Sequence, residues 1–499
     1  MSTRLLPLLL WAASCPASPQ AEQLPRIDPA GIGGTLILAG SDTTEPAVRA
    51  FLKATGEVEE SQKILFFSVD NSQATQQARH ILKGLVPEDR LAQTCIASEL
   101  IDQLDNAQAL WIASANIETL LPHDDDLKDF LHSGKAIGTS ANIHALGLLP
   151  DAHLGALTRD DFLERSPHFV AYELDADAAL LVQGRLIRNI GPGNVRIRRK
   201  TRHGQPPDTL TLSPANPIAD LTALRRTARD ATLQPPAKQS KPIVRHGTLI
   251  LIGGGGMPTG IVERFIRLAG GKDSRIIVLP TAVPDPIRKP YRIDETFRKA
   301  GAGKVTVLPG RTLEKVESAE YLAALKEATG LWFGGGRQWR FVDAYLGTKA
   351  HPLMHDLLRR GGVVMGSSAG ASIQAEYLAR GNPLGNLDVM ASGYERGLDF
   401  LPGTAVDQHF SQRNRFADLK ALTQAYPRLL GIGIDESTAL VVRKKTGTVT
   451  GKGKVFFYDN REGTGPKQTV VQVEERFNLV TRKLVEKRDK TPARKEASQ

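Results

Sequence analysis

The sequence predicts an α/β chain of two tandem, doubly wound, mostly parallel sheet domains, with the second copy catalytic. Two observations predict it. Apolar runs rich in β-branched residues alternate with amphipathic helical stretches, the pattern of a parallel sheet covered by helices on both faces. The whole series of runs then occurs a second time in the same order, as a duplicated domain would give.

The elements match one by one. GTLILAGSDTTEPAVRAFLKATG from Gly34 and GTLILIGGGGMPTGIVERFIRLAGG from Gly247 each read strand, turn, helix. KILFFSVD from Lys63 and RIIVLPTA from Arg275 follow as further strands. ALWIASANIETL from Ala109 then matches GLWFGGGRQWRF from Gly330. KAIGTSANIHALG (Lys135 to Gly147) matches VVMGSSAGASIQA (Val363 to Ala375). YELDADAALLVQGRLIRNIGPGNVRI from Tyr172 matches GIDESTALVVRKKTGTVTGKGKVFF from Gly433. The unbroken apolar runs LILI, IIVL and VVM suit strands buried on both faces. A hairpin-like end, ALVVRKKTGTVTGKGKVFFYDN, closes the second copy. The reading divides the chain into a leader (1–21), a degenerate copy (25–200), a linker with one helix, IADLTALRRTARDAT (201–242), a catalytic domain (243–480) and a basic disordered tail (481–499).

Length and composition fit this division. A chain of 499 residues accommodates two or three domains, and 41% apolar residues support packed cores. The net charge of +10 gathers in RIRRKTR (Arg196 to Arg202) and in the tail. No aromatics interleave with those charges, so they read as solvated linker and tail, and no nucleic-acid partner is expected. Cys15 and Cys95 are the two cysteines. With Cys15 in the leader, neither an internal disulfide nor a cysteine-based zinc site is expected. Arg4, the short apolar run LLPLLLWAA and the small residues of SCPASPQA read as a secretory signal, with lipid attachment at Cys15 as the alternative. A secreted or periplasmic location follows as an expectation, and no later segment is long and apolar enough to cross a bilayer.

In a parallel sheet the reactive groups gather at the carboxyl ends of strands, where GGGG, FGGGRQ and GSSAG all fall. G-x-S-x-G between a strand and a helix is a nucleophile elbow, with Ser368 held out over the sheet edge. Gly366 and Gly370 fit a turn too tight for side chains. DQHFSQRNR offers His409 as the base, since an imidazole near neutrality can take the serine proton and return it to a leaving amine. GIGIDESTALVV offers Asp435 and Glu436 as the orienting acid, and strand alternation lets only one of them reach the histidine. Gly335 or Gly336, with the N–H of Ala369, would form an oxyanion hole worth about 3–4 kcal/mol per donor. GGGGMP lacks the lysine and hydroxyl of a P-loop and the spaced glycines of a dinucleotide fold, so no nucleotide is expected. No cofactor and no metal are expected either. A glutamine amidotransferase is disfavoured, because neither cysteine lies in an elbow.

Together GSSAGA, DQHF with its following arginines, FGGGRQ and GIGIDESTALVV resemble the cyanophycinase family, serine peptidases related to dipeptidase E. The resemblance covers roughly Ile243 to Val480. It implies a class I glutamine-amidotransferase-like fold and a Ser368–His409–Glu436 triad, and it is what selects Glu436 over Asp435. It also implies cleavage of cyanophycin, a polyaspartate backbone bearing arginines, to β-Asp-Arg dipeptides. Gln338, Asp407, Gln408, Arg413 and Arg415 fall on the family's pocket motifs, cations for free carboxylates and an acid for guanidinium. Two positions depart from the pattern. Asp418 stands where the family usually carries a third arginine, and Arg337 precedes Gln338. Small aspartyl peptides, or polymer binding without turnover, are the competing readings.

In the first copy Ser140 survives, but Asn142 replaces the second glycine of the elbow and IASANI replaces FGGGRQ. The histidine position falls near Leu157, with His153 close by, and the acid position falls on Ala176. The first copy is therefore expected to be non-catalytic and to dock on the second as a built-in partner.

Overall fold

A computed structural model of the chain describes residues 25–485, apart from 57–61, 114–116, 141–143, 156–162, 164, 201–207, 234–239 and 288–291. The leader with Cys15, Asn142, Leu157 and the tail from 486 lie outside the described residues.

The first half contains β1 (Thr35–Ala39), β2 (Lys63–Phe67), β3 (Leu91–Thr94), β4 (Ala107–Ile112), β5 (Ala136–Thr139) and β6 (Ala152–Leu154). It continues with β7 (Val170–Leu174), β8 (Ala179–Gln183), β9 (Leu186–Asn189), β10 (Val195–Arg199), β11 (Asp208–Leu212) and β12 (Ile218–Asp220). The second half opens with β13 (Val244–Ile252), β14 (Arg275–Leu279), β15 (Lys304–Val307), β16 (Gly330–Phe333), β17 (Val363–Ser367), β18 (Ala375–Tyr377) and β19 (Leu401–Gln408). It ends with β20 (Leu430–Ile434), β21 (Thr438–Lys444), β22 (Thr446–Gly451), β23 (Val455–Asp459), β24 (Lys467–Val471), β25 (Arg476–Asn478) and β26 (Lys483–Leu484).

Each half has a large and a small sheet. The large sheets run β3-β2-β4-β5-β1-β8-β9-β12 and β15-β14-β16-β17-β13-β21-β22-β25-β26. Both begin with five parallel strands in the same order and continue antiparallel beyond β1 and β13. The small sheets run β6-β7-β10-β11 and β18-β19-β20-β23-β24. The central strands are buried on both faces because their side chains alternate between two cores. Leu249 and Leu251 enter one cluster with Val364 and Phe333, while Ile250 and Ile252 enter another with Phe265 and Trp332. In the first half Leu36 and Leu38 part from Ile37 in the same way.

The structure departs from the sequence reading in three places. The segment read as a linker supplies β11 and β12 before its helix, which spans Leu221–Leu233. β11 pairs with β10, so Arg196, Arg198 and Arg199 of RIRRKTR sit on a strand rather than in linker, while Arg202 lies outside the described residues. Arg196 pairs with Glu173 and Asp175, and Arg199 with Asp208. At the other end β21 and β22 form the expected hairpin, but KVFFYD crosses to the small sheet, where β23 pairs with β20. Ordered chain also continues past 480, since the buried Arg482 bonds Asp459 at 2.5 Å. Among the described residues no helix is long and apolar enough to cross a membrane.

The helix Leu221–Leu233 lies between the halves. Its Arg226 donates to Asp343 (2.6 Å), as does Arg185 from the turn between β8 and β9 (2.5 Å). Asp343 belongs to the helix Trp339–Tyr345 of the second half and also accepts from Tyr394 (2.7 Å). Arg185 is held in turn by Asp220 (2.6 Å) and lies 4.8 Å over the Trp339 ring, while Arg226 lies 4.6 Å over Tyr394. Two arginines and two aspartates thus cross the junction in a buried, hydrogen-bonded set. Removing one charge strands the others, so Asp343→Asn is expected to lower the unfolding free energy by about 3–5 kcal/mol, as measured by urea denaturation.

Candidate active site

Ser368 follows β17, which lies between β16 and β13 with Ser367 opposite Ile252. Its backbone adopts φ 54° and ψ −116°, a conformation that the surrounding turn must impose. The imposition comes from crowding. A Cβ on Gly366 would lie 2.1 Å from the Gly370 carbonyl oxygen, and one on Gly370 would lie 2.0 Å from that of Phe333. Only glycines let the chain fold back closely enough to lift the serine out of the sheet.

His409 follows β19 and Glu436 lies just beyond β20. The loop after β13 holds all three positions through its carbonyls. Ile252 accepts from Ser368 N–H (2.9 Å), Gly253 from His409 N–H (2.8 Å) and Gly254 from Ser437 N–H (2.8 Å). His409 Nε2 then lies 2.8 Å from Ser368 Oγ, and its Nδ1 lies 2.5 Å from Glu436 Oε1. Asp435 turns the other way, as alternation requires. Its carboxylate accepts from the N–H groups of Ser411 and Lys454, both at 3.0 Å, and so braces the loop behind His409. Burial pushes the His409 imidazole below its ordinary value, against the opposing pull of Glu436, and the nearby Arg413 adds to the lowering. The neutral form, which can accept a proton, therefore persists to lower pH than in a free histidine.

Gly335 sits against the serine, where a Cβ built on it would lie 3.5 Å from that of Ser368. Gly336 adopts φ 138° and passes the Ala282 carbonyl too closely for any side chain. Ala369 opens the short helix Ala369–Ser372 directly after the serine.

A cavity of about 280 Å³ opens on Ser368, lined by Gly336, Arg337, Gln338, Arg380, Asn386, Gln408, Arg413 and Arg415. Of the five residues expected to bind substrate, Gln338, Gln408, Arg413 and Arg415 line it. Asp407 does not. It lies fully buried beneath, accepting from Arg380 (3.0 Å) and Arg415 (2.8 Å), and is occupied before any guanidinium arrives. Arg380 was not visible as a pocket residue from sequence. It holds φ 60°, and every nitrogen of its guanidinium has an acceptor: Asp407, Asp418 (2.5 Å) and the carbonyls of Asn386 and Leu387. Asp418, the departure noted above, thus anchors an arginine that enters the cavity from a different segment. Arg337, the other departure, bonds the carbonyls of Asn382 (2.9 Å) and Gly385 (2.5 Å), so the two arginines pin the 382–387 loop as one cavity wall. Gln338 donates to the carbonyl of Ala379 (2.8 Å).

In the first half Ser140 follows β5, but its occluded Oγ has no hydrogen-bond partner among the described residues. His153 lies on β6, and Ala176 stands where an acid would be.

Residues 249–450 match the family model described as Peptidase family S51. A cyanophycinase of Trichormus variabilis is 33% identical over 211 residues, covering 41% of this chain and 70% of the relative. The cyanophycinase of Geminocystis herdmanii is 31% identical over 226 residues, 44% of this chain and 83% of its own. The chain belongs to peptidase family S51. It is a serine peptidase of that family, and Ser368, His409 and Glu436 all lie within the matched stretch. Among solved structures, a peptidase from an acI-B1 Actinobacterium aligns at 22% identity with a TM-score of 0.35, over 47% of this S51 chain and 97% of that one.

Two outcomes are expected. The acid limb of kcat/KM should fall below the ordinary histidine value of about 6.5, read from a pH profile. Gly254→Ala should lower kcat roughly 100-fold with the fold intact by circular dichroism, because the new Cβ would meet the His409 ring at 2.2 Å and displace it.

Proposed function

We propose that the second half hydrolyses aspartyl linkages of cyanophycin, releasing β-Asp-Arg, through an acyl-enzyme on Ser368. One observation carries the reading: Ser368 Oγ, the His409 imidazole and the Glu436 carboxylate form a continuous hydrogen-bonded chain at the floor of an arginine-lined cavity. In the first step Oγ attacks the scissile carbonyl carbon while His409 Nε2 takes its proton. Glu436 holds the Nδ1–H and stabilises the imidazolium. The carbonyl oxygen, now negative, is received by the N–H of Ala369 and that of Gly335 or Gly336. The C–N bond breaks as His409 gives its proton to the leaving amine. Water then repeats the sequence on the ester and frees Ser368.

The cationic cavity suits the carboxylates of an aspartyl unit. The named relatives are cyanophycinases, which favours the polymer. A second reading, small aspartyl peptides, is favoured by the lining itself: among the described residues no acid faces the cavity to hold the arginine side chain of the polymer.

The first half is read as a non-catalytic copy that occupies the place a second subunit would take. The matching strand orders and the buried Asp343 set support that assignment, and the lone Ser140 hydroxyl supports the loss of catalysis.

Incubation of the full chain with insoluble cyanophycin, followed by mass analysis, should yield β-Asp-Arg. Ser368→Ala should reduce the rate by roughly 10⁴- to 10⁶-fold. Release of aspartyl products at the parent rate by that variant would end the proposal.

A further inference from the structure

A second cavity, of about 610 Å³, lies beside the first. The two share one turn: Gly335 lines this one and Gly336 the cationic one. The volume falls in the range of about 300–1,000 Å³ typical of sites that bury a small ligand. Val278, Val283 and Ile293 supply apolar wall, and two polar groups interrupt it. One is the Trp332 indole, whose nitrogen would lie 3.9 Å from a Cβ built on Gly334, beside the turn. Among the described residues its N–H has no acceptor. The other is Asp285, whose side chain is 73% exposed. Asp285 accepts from Arg311 through Oδ1, and Arg311 is also held by the carbonyls of Thr281 (2.8 Å) and Val283. Asp285 Oδ2 is left for a second donor, whereas Asp407 beneath the first cavity is already taken by two arginines.

We infer that this second cavity receives the arginine branch of a β-aspartyl-arginine unit, with Asp285 as the acceptor of its guanidinium. The inference rests on the reading of the site as a hydrolase of polymers built from such units. Release of β-Asp-Arg breaks the main-chain amide between aspartyl units and leaves the β-amide to arginine whole. The intact branch therefore needs a place beside the reacting atoms, and this cavity adjoins the turn that receives the scissile carbonyl. An arginine joined through its α-amine carries a free carboxylate, three methylenes and a guanidinium. The cavity holds a complement to each: the Trp332 N–H, the wall of Val278, Val283 and Ile293, and the Asp285 carboxylate. A carboxylate paired with guanidinium also discriminates by charge, since an uncharged branch would leave the acid without its partner. The lack of a free acid in the cationic cavity then follows. Its arginines take carboxylates, and the guanidinium goes to the other side of the Gly335–Gly336 turn.

The test compares kcat/KM of the full chain on two synthetic trimers. One is built of β-Asp-Arg units, and in the other citrulline, an uncharged isostere, replaces each arginine. The arginine trimer should exceed the citrulline trimer by roughly 10- to 100-fold, as a hydrogen bond to a charged group implies. Asp285→Asn should bring that ratio to within about threefold of one, and Asp285→Glu, which keeps the carboxylate, should retain at least about a third of it. A merely structural role for Asp285 would lower the rate on both trimers alike and leave the ratio as in the parent. That outcome, or equal rates on the two trimers in the parent, would overturn the subsite and leave the hydrolase reading standing. Failure of the full chain to cleave either trimer or the polymer would overturn both.

Discussion

Three successive peptide carbonyls at the end of β13 hold the reactive groups together. Ser368, His409 and Glu436 arrive from three different strands, separated along the chain, and each could swing independently on its own loop. Ile252, Gly253 and Gly254 instead anchor the backbone of Ser368, of His409 and of the residue after Glu436 to one short segment. That segment continues a strand buried on both faces, so it cannot shift without disturbing two cores. Side-chain distances of 2.5–2.8 Å along the proton path follow from this backbone fixation more than from the side chains themselves. The glycines also make the space. A larger residue at 254 or 255 would occupy the volume now filled by the imidazole or the carboxylate.

Much of this was legible in the sequence. The apolar runs gave the strands, because a strand buried on both sides has no polar alternation to obscure it. Their recurrence in order anticipated the shared strand orders of the large sheets. Ser368 and His409 were named from the elbow and the imidazole, alternation put Asp435 and Glu436 on opposite sides, and the family resemblance, not the pattern, chose Glu436. The segment before the junction helix was harder. DTLTLS is short and polar on one side, so its strand character depends on β10 lying beside it, which local sequence does not reveal. The basic run nearby looked solvated for the same reason: its partners Glu173, Asp175 and Asp208 are distant or masked by linker-like composition.

The cavity shows the same limit. Gln338, Gln408, Arg413 and Arg415 belong to motifs and were found by them. Arg380 belongs to none and reaches the cavity only because Asp407 and Asp418 draw it inward. Asp407 was assigned from its motif to the cavity, yet its full burial and its two arginines make it an internal counter-ion. Motif position tells which residues lie near a site. Hydrogen-bond saturation decides which of them are free to meet a substrate, and that is a property of three-dimensional partners.

The junction carries a consequence for behaviour in solution. Arg185, Arg226 and Asp343 belong to one polypeptide, so the tether supplies their effective concentration and dilution does not. An assembly of separate subunits falls apart as it is thinned, whereas this contact persists at any protein level.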